Sequence, residues 1–415
     1  MRLPHEHLIS QRLRAPMMRR INGIALLNLI RELGPVSRAS LAKLSRLSKP
    51  TVSTQVEALL RQGWVLELGR GKSGSRGGKT PTLIRFNSDS GRLFAVEIDA
   101  AHVRLAAADL DGRILARASY PLTGDRSAVS VLALARRGLK ELIANQPVNA
   151  SQRIISVAAP GRVDVEQGIV LQAGNVFDWQ NVAIRAEFEQ AFGSPVFVDN
   201  DVRMAALGEV QFGAARGVKE VTVVRLETGL GAAVVSGGQL RPGSHWAAGE
   251  VAHFLLDLDS ADQACSSRGY LESIVGADRI LAAARAVGSS APTALKFLTE
   301  ARFSSGPERA LFDRIALHLG IAIANLIVVN DPALVVLQGG LLSALEEELR
   351  AIVSRVVPWE MRLEISKISD EAVLLGAIGA ARLRAYESIA RLFEAGSHAV
   401  AEFTVPLMAD IPLSS

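Results

Sequence analysis

The 415-residue sequence contains a single cysteine, Cys265. One cysteine excludes a disulfide bond within the chain and suits a reducing compartment. The sequence also lacks an apolar run of the roughly 20 residues that a membrane span needs. Two histidines, His5 and His7, stand where a signal peptide would carry its apolar stretch. We therefore expect a cytoplasmic protein without membrane insertion.

Acidic residues are scarce at the amino end of the chain. Residues 1–85 contain 16 lysines and arginines but 4 aspartates and glutamates, a net charge of +12, whereas the remainder carries −8. A basic head on an acidic body is typical of a nucleic-acid-binding module joined to a second domain. A solvated basic tail is the alternative, and the residue pattern of the head bears on that choice.

The basic head has the pattern of three short helices. Apolar residues recur with helical spacing from Ile21 to Ile30, and a Gly-Pro pair at 34–35 ends that helix. Ser37 can cap a second helix, and Ser48 can cap a third with Pro50 in its first turn. The sequence therefore predicts a helix-turn-helix, although any three-helix domain could instead serve protein contacts, which the +12 charge disfavours.

The third helix has two distinct faces. Its apolar residues face inward: Val52, Val56, Leu59 and Leu60. The other face carries polar and basic side chains that can reach phosphates and base edges in a major groove: Lys49, Thr51, Ser53, Thr54 and Gln55. We predict that this face reads DNA, together with Arg38 at the start of the second helix.

A long hairpin follows the helices. Residues 64–68 and 82–86 are apolar segments typical of two strands. The tip between them, residues 69–80, contains five glycines and no acidic residue. A disordered linker is the alternative, but the flanking apolar strands favour a wing. Four basic residues of the tip are predicted to contact the phosphate backbone: Arg70, Lys72, Arg76 and Lys79.

Beyond Leu93, short strands alternate with helices, which predicts an α/β architecture. Strands are predicted at residues 93–98, 103–109, 113–118 and 154–158, and a helix at 129–144. A second set follows, with strands at residues 221–226, 232–236 and 334–337 and a helix around 318–329. Two such halves with a cleft between them would form a fold that binds a nucleotide and a sugar.

Five short motifs carry a family resemblance: Ala159-Pro160-Gly161 and residues 175–179, 198–201, 228–231 and 248–253. In their order and spacing they resemble the ROK family of repressors, open reading frames and kinases. The head, with residues 37–39 and 47–53, resembles the N-acetylglucosamine, glucose and xylose repressor branch of that family. The resemblance runs from about Asn22 to about Arg384. It implies an N-terminal winged helix-turn-helix followed by a two-lobed actin-like, ribonuclease H-like sugar-kinase fold.

The resemblance also implies where a sugar would bind. Family members hold sugar hydroxyls with asparagine, aspartate, glutamate and histidine side chains, and the corresponding residues here retain those types: Asn175, Asn200, Asp201, Glu250, His253 and Glu272. In a kinase Asp201 would be the general base, whereas in a regulator it only accepts a hydrogen bond. Two alternatives stay open. Asn200 and Asp201 could cap a helix that begins near Val202, and His253 could be a core residue.

Three positions depart from the family pattern. The family often binds a structural zinc ion through one histidine and three cysteines, and the cysteine positions here hold Gln263, Cys265 and Tyr270. One thiolate and one imidazole are too few for a closed tetrahedral site, so we predict neither zinc nor another cofactor. Trp246 stands where the family usually has a glycine, so we expect an altered pocket or lid.

The two loops that cradle ATP phosphates in family kinases also differ. The corresponding stretches are residues 97–101 and 227–231, in which Asp99 and Glu227 replace glycines and Ala101 replaces a threonine. A carboxylate about 4 Å from a phosphate would be repelled by ~4 kcal/mol at an effective dielectric of about 20. The close backbone approach that glycine allows is lost as well. We therefore expect no kinase activity.

Together these observations predict a sugar-responsive transcriptional repressor that is not an enzyme. We expect a DNA-binding domain at residues 1–86, two lobes at 87–200 and 201–385, and a C-terminal tail at 386–415. The expected partners are double-stranded operator DNA, a monosaccharide or sugar derivative, and further copies of the chain in a homodimer or homotetramer. A bifunctional sugar kinase with a DNA-binding head is the main alternative, and a protein-interaction module is the third.

Overall fold

The computed structural model describes residues 18, 21–70, 81–173, 179–256 and 269–392. These residues fall into two compact units. Unit 1 contains the chain up to Leu93, the segment Ala108–Arg113 and the segment that begins at Arg382. Unit 2 contains Phe94–Ala107 and Ile114–Ala381. Unit 1 is therefore assembled from three separate parts of the sequence.

Unit 1 begins with three helices: α1 (residues 21–33), α2 (Arg38–Ser45) and α3 (Lys49–Arg61). The predicted caps are confirmed, because the Ser37 hydroxyl accepts from the N–H of Ser40 at 3.1 Å. The Ser48 hydroxyl likewise accepts from the N–H of Thr51 at 3.2 Å. Between α2 and α3 the chain turns through Arg46, whose φ is 57°. The predicted helix-turn-helix is thus present.

A three-stranded antiparallel sheet of order β1-β3-β2 completes the head. Its strands are β1 (Val36–Ser37), β2 (Val65–Arg70) and β3 (Thr82–Phe86). Val65 pairs with Phe86 and Arg70 with Thr82, so β2 and β3 form the two sides of the predicted hairpin. The tip residues Lys72, Arg76 and Lys79 lie outside the described residues.

The first lobe of unit 2 is built on a five-stranded sheet of order β11-β7-β4-β5-β6. Its strands are β4 (Arg92–Ile98), β5 (His102–Ala108), β6 (Ile114–Pro121), β7 (Arg153–Ala159) and β11 (Val196–Asn200). A smaller sheet contains β8 (Arg162–Asp164), β9 (Ile169–Ala173) and β10 (Trp179–Val182). The helices are α4 (Ala128–Ala144) and α5 (Ile184–Phe192). Their apolar faces form one core with the strands.

The second lobe repeats this plan with a sheet of order β14-β13-β12-β15-β16. Its strands are β12 (Val221–Leu226), β13 (Leu230–Ser236), β14 (Gln239–Leu240), β15 (Leu334–Gln338) and β16 (Leu363–Ile365). Its helices are α6 (Asp201–Phe212), α7 (Tyr270–Val275), α8 (Ala277–Ala286), α9 (Ala294–Ala301), α10 (Pro307–Asn330), α11 (Gly340–Ala344), α12 (Glu346–Val356) and α13 (Ala372–Leu392). The predicted α/β architecture is confirmed.

Helix α10 is long and apolar enough to cross a membrane by length and composition, with a mean hydropathy of 1.7 over its most apolar window. However, 56% of that window is buried inside the protein. Phe312, Ile315 and Ile323 of this helix belong to the core of the second lobe. The core position of α10 accounts for its apolar composition.

Helices α6 and α13 approach each other backbone to backbone. Both Gly208 of α6 and Gly376 of α13 face carbonyl oxygens of the opposite helix, those of Ala372 and Met204 respectively. A Cβ atom at either glycine would collide with that oxygen. Glycine is therefore required at this crossing because any side chain would push the helices apart.

The carboxyl-terminal half of α13 belongs to unit 1. The Tyr386 hydroxyl donates a hydrogen bond to the carbonyl of Leu110 at 2.7 Å. The guanidinium of Arg31 on α1 lies 4.3 Å from the centroid of the Tyr386 ring, and the Phe86 ring lies 6.1 Å from it. The expected tail at residues 386–415 therefore begins inside α13, which extends to Leu392. Sequence distance hid the contact, since Tyr386 is far along the chain from α1.

Candidate functional site

Four of the five α3 residues that are predicted to read DNA are at least partly accessible to solvent: Lys49, Thr51, Ser53 and Thr54. The Thr54 hydroxyl donates to the carbonyl of Pro50 at 3.0 Å. Lys49 and Ser53 are exposed. The amino-terminal half of α3 thus presents one basic and several short polar groups to solvent.

The prediction that Gln55 lies on this exposed face is wrong. Its side chain is 6% exposed. Gln55 stands three residues after Val52 and four before Leu59, on the same stripe that packs against the core. Helical spacing therefore places Gln55 inside, although its polarity suggested a surface position.

Arg38 is bound by carboxylates of its own unit. Its guanidinium lies 2.7 Å from Glu57 of α3 and 2.9 Å from Glu67 of β2. These contacts join α2, α3 and the hairpin. The two carboxylates also offset the charge of the arginine. Arg38 therefore bridges parts of unit 1, a role that the sequence alone does not indicate, and this role competes with the predicted contact to DNA.

Asn200 lies where β11 ends and α6 begins, in unit 2. Its side-chain oxygen accepts from the N–H of Arg203 at 3.1 Å, so the capping alternative holds. Its amide nitrogen donates to the carbonyl of Gly161 and to Asp201 Oδ1, both at 2.8 Å. Asn200 therefore connects the Pro-Gly loop of the first lobe to the start of α6.

Asp201 is the first residue of α6, and its Oδ1 accepts from the N–H of Val202 at 2.9 Å. Burial raises the pKa of the Asp201 carboxyl, and the nearby Arg225 guanidinium opposes that rise. A helix amino terminus stabilises a negative charge at this place. Oδ1 of Asp201 is thus held as a hydrogen-bond acceptor at the start of α6.

The E-x-x-H motif forms a short 3-10 helix, Val251–His253, directly after Glu250. Burial among protein groups raises the pKa of Glu250, with His253 opposing the rise and Asp201 adding to it. Glu250 remains accessible to solvent, as does His253. Glu250 and Asp201 are therefore close enough for their charges to interact. Because His253 is exposed, the alternative that it is a core residue is wrong.

Glu272 is buried, 4% exposed, and its Oε2 accepts from the N–H of Leu230 at 3.1 Å. It therefore lies against the second of the two loops that correspond to phosphate loops. Asn175 lies outside the described residues, as do Gln263 and Cys265, on which the zinc prediction depends. Within the described ranges, no group of three histidine, cysteine, aspartate or glutamate side chains could hold a metal ion.

The first of these two loops contains a carboxylate and arginine network. Glu97 is 1% exposed, and its Oε1 lies 2.5 Å from Arg104. Arg104 also lies 3.3 Å from Asp99 and donates to the carbonyl of Asp370 at 2.7 Å. Burial raises the pKa of Glu97 to about 7, with Arg104 opposing the rise. No sequence motif singled out Arg104, because its partners come from distant segments.

Asp99 and Glu227 also have partners that the sequence did not reveal. Asp99 Oδ1 accepts from the N–H groups of Ala101 and His102 at 2.6 and 2.7 Å and so closes the first loop as a turn. Burial raises the pKa of Glu227, and Arg225 opposes that rise. The prediction of a purely repulsive pair of loops is therefore incomplete, because the charges of Arg104 and Arg225 partly offset these carboxylates.

Comparisons with known families agree with this arrangement. The ROK family model matches residues 93–384, more than half of the chain. The chain belongs to the ROK family. A MarR family model matches residues 21–67, which contain α1, α2 and α3. This ROK protein therefore contains a MarR-type DNA-binding domain that precedes its two lobes in the sequence.

Relatives of this ROK protein include regulators and enzymes. A xylose repressor of Caldicellulosiruptor bescii is 26% identical over 384 residues, which cover 87% of this chain and 95% of that repressor. A glucokinase of Thermotoga maritima is 27% identical over 308 residues, which cover 69% of this chain and 96% of the enzyme. The regulator matches more of the chain because it extends over the head.

Among solved structures, a ROK family transcriptional regulator described as a homologue of the Escherichia coli Mlc protein has a TM-score of 0.74. Its sequence is 23% identical, and the match covers 91% of this chain and 98% of that one. A ROK family glucokinase from Streptomyces griseus, in complex with glucose and AMPPNP, has a TM-score of 0.60 and covers 71% of this chain at 23% identity. These likenesses confirm the fold, a winged-helix head and a sugar-kinase-like body.

Proposed function

We propose that this ROK protein is a sugar-responsive transcriptional repressor that binds DNA through unit 1 and a monosaccharide or sugar derivative in the cleft of unit 2. The observation that carries the proposal is the presence, in one chain, of a helix-turn-helix and of a group of sugar-binding residue types in unit 2, where Asn200 bonds Asp201 and the charge of Asp201 acts on Glu250. Carboxylates and amides that converge on one cleft suit the paired hydroxyls of a sugar. The chain would act in the cytoplasm, where DNA is present.

The relatives suggest which sugars to test first. Their names refer to xylose, glucose and N-acetylglucosamine. We propose that one of these, or a close derivative, is the effector. A panel of the three, read by thermal shift, would identify it, because a ligand at 100 times its dissociation constant adds ~2.7 kcal/mol of stability.

The second candidate function is a sugar kinase with a DNA-binding head, which the retained Asp201 favours. We propose instead that the protein transfers no phosphate. Glu97, Asp99 and Glu227 occupy the two loops, and their arginines are already engaged within the protein. An assay with ATP, magnesium and each sugar should show no transfer, whereas turnover at ordinary enzyme rates, ~1 to 10³ per second, would establish the kinase.

DNA binding can be tested through the wing. Replacing Arg70, Lys72, Arg76 and Lys79 by alanine should weaken binding and reduce the dependence on salt, by ~0.9 in slope for each lost phosphate contact. If the slope of log affinity against log salt is unchanged, the wing does not contact DNA phosphates. Two copies on a palindromic operator are the arrangement we propose, and sedimentation with and without DNA would measure the number of copies.

A further inference from the structure

Trp246 adopts a backbone conformation that side chains disfavour. Its φ is 58°, and Trp246 is one of four residues other than glycine with positive φ among those the structure describes. A Cβ atom is strained in this left-handed region, and tryptophan is bulky as well. The loop therefore keeps a large aromatic residue at a position whose geometry suits glycine.

The loop that holds Trp246 is fixed on both sides. The N–H of Ala232 on β13 donates to the carbonyl of Gly249 at 3.0 Å, and the N–H of Ala248 donates to the carbonyl of Pro242 at 3.3 Å. Arg162 donates to the carbonyl of His245 at 3.4 Å. Such restraints allow a strained conformation to persist, and strain of this kind concentrates at ligand sites.

The loop that holds Trp246 borders a cavity and also contacts Arg162. A surface cavity of about 770 Å³ borders the loop at Gly243, Ser244 and residues 247–249, together with Glu250. Trp246 is half-buried and is not among the residues that line this cavity. Arg162 contacts the backbone carbonyl of the preceding residue, His245.

Arg162 connects the loop of Trp246 to residues of the proposed sugar site. Arg162 follows Gly161, whose carbonyl accepts the amide of Asn200 at 2.8 Å. The charge of Arg162 also acts on Glu250. The three segments that contain Gly161, Asn200 and Glu250 therefore meet beside Trp246.

We propose that Trp246 forms an apolar wall of the sugar site and packs its indole against the C–H face of a pyranose ring, which makes it a specificity-determining residue. The inference rests on the proposed function. A pyranose has one face rich in C–H groups, and an aromatic ring covers such a face with a large contact area while the polar residues orient the hydroxyls. The strain at Trp246 is then maintained because the indole contributes to binding.

The test compares Trp246→Gly and Trp246→Phe with wild-type protein, using D-xylose, D-glucose and N-acetyl-D-glucosamine as calorimetric probes. Glycine removes both the indole and the strain. We expect Trp246→Gly to bind the preferred sugar about tenfold more weakly, while its melting temperature stays equal or rises. Phenylalanine keeps an aromatic face and should retain most of the affinity. Trp359→Phe, at an exposed tryptophan of the second lobe, is the matched control and should bind as wild type does.

The outcomes separate the two proposals. If wild-type protein binds none of the probes by calorimetry or thermal shift, the proposed function itself fails. If wild-type protein binds a sugar and Trp246→Gly binds it equally well, the inference about Trp246 is overturned. A lower melting temperature for Trp246→Gly, with Trp246→Phe as weak in binding as glycine, would also overturn it, since tryptophan would then support the loop rather than the ligand.

Discussion

The carboxylate of Glu97 lies 2.5 Å from the guanidinium of Arg104 on the neighbouring strand. The Oε2 of Glu97 is buried without a hydrogen-bond partner. A buried carboxylate with one partner is costly to ionise. The loop that corresponds to the first phosphate loop of the kinases therefore contains a group that titrates near neutral pH.

Glu97 should make stability fall as pH rises. The pKa of Glu97 is about 7 in the folded chain, whereas its ordinary value, which applies to the unfolded chain, is 4.5. Between these two values the folded chain binds the proton more tightly than the unfolded chain does. The stability that this proton contributes is complete below about pH 4.5 and is lost as pH rises through about 7, roughly 3 kcal/mol in all. Denaturant unfolding across this range should show a steeper decline for wild type than for Glu97→Gln. Equal slopes would show that folding does not change the pKa of Glu97.

Gly376 should tolerate no side chain. Gly376→Ala places a methyl group against the carbonyl of Met204, so we expect a loss of about 3 kcal/mol or more in the free energy of unfolding. Gly379→Ala is the matched control on the same helix, because its Cβ would meet the movable side chain of Gln211 at 2.7 Å. The control should lie within about 1 kcal/mol of wild type, helped by the helix propensity of alanine. Similar losses in both variants would argue against a backbone crossing at Gly376.

Tyr386 should stabilise the DNA-binding unit. Tyr386→Phe removes the hydrogen bond to Leu110 and should cost about 1 kcal/mol, whereas Tyr386→Ala also removes packing against Phe86 and should cost about 3 kcal/mol. Tyr120→Phe is the control, since the Tyr120 hydroxyl bonds an exposed partner, Glu141. Hydrogen exchange of α1 amides reports the effect locally. Unchanged exchange in Tyr386→Ala would show that unit 1 does not depend on the carboxyl-terminal helix.

Arg38 and Lys49 should differ in their effect on DNA binding. Lys49 is exposed, so Lys49→Ala should reduce the slope of log affinity against log salt by ~0.9 if it contacts a phosphate. Arg38 is held by Glu57 and Glu67, so Arg38→Ala should leave that slope nearly unchanged. Its stability should fall by at most about 1 kcal/mol, because the ion pairs are exposed. If both changes reduce the salt slope equally, Arg38 contacts DNA as Lys49 does.

Local chemistry made part of this structure predictable. The caps at Ser37, Ser48 and Asn200 depend on neighbouring residues, so the sequence pattern is sufficient to predict them. The prediction for Gln55 is wrong because it follows the polarity of the side chain. The helical spacing from Val52 to Leu59 places Gln55 on the buried face of α3.

Other features depend on contacts between distant segments, which a single sequence does not reveal. Arg104 meets Asp370 across 266 positions, and Tyr386 meets Leu110 across 276. Neither pair has a motif. The partners of Arg38, Glu57 and Glu67, are likewise distant in sequence. The charge of Arg38 alone suggests a DNA contact, whereas its ion pairs indicate a bridge within unit 1.

In the proposed function, one chain couples sugar binding to DNA binding. The direct measurement is the affinity for a duplex selected from a random DNA pool, with and without the sugar that the thermal-shift panel identifies. We expect the sugar to change the DNA affinity of wild-type protein by roughly 5- to 150-fold, the range of ordinary coupling energies. Glu250→Ala and His253→Ala should bind the same DNA without any response to the sugar. Equal wild-type affinities for DNA in the presence and absence of a bound sugar would show that the two sites are not coupled.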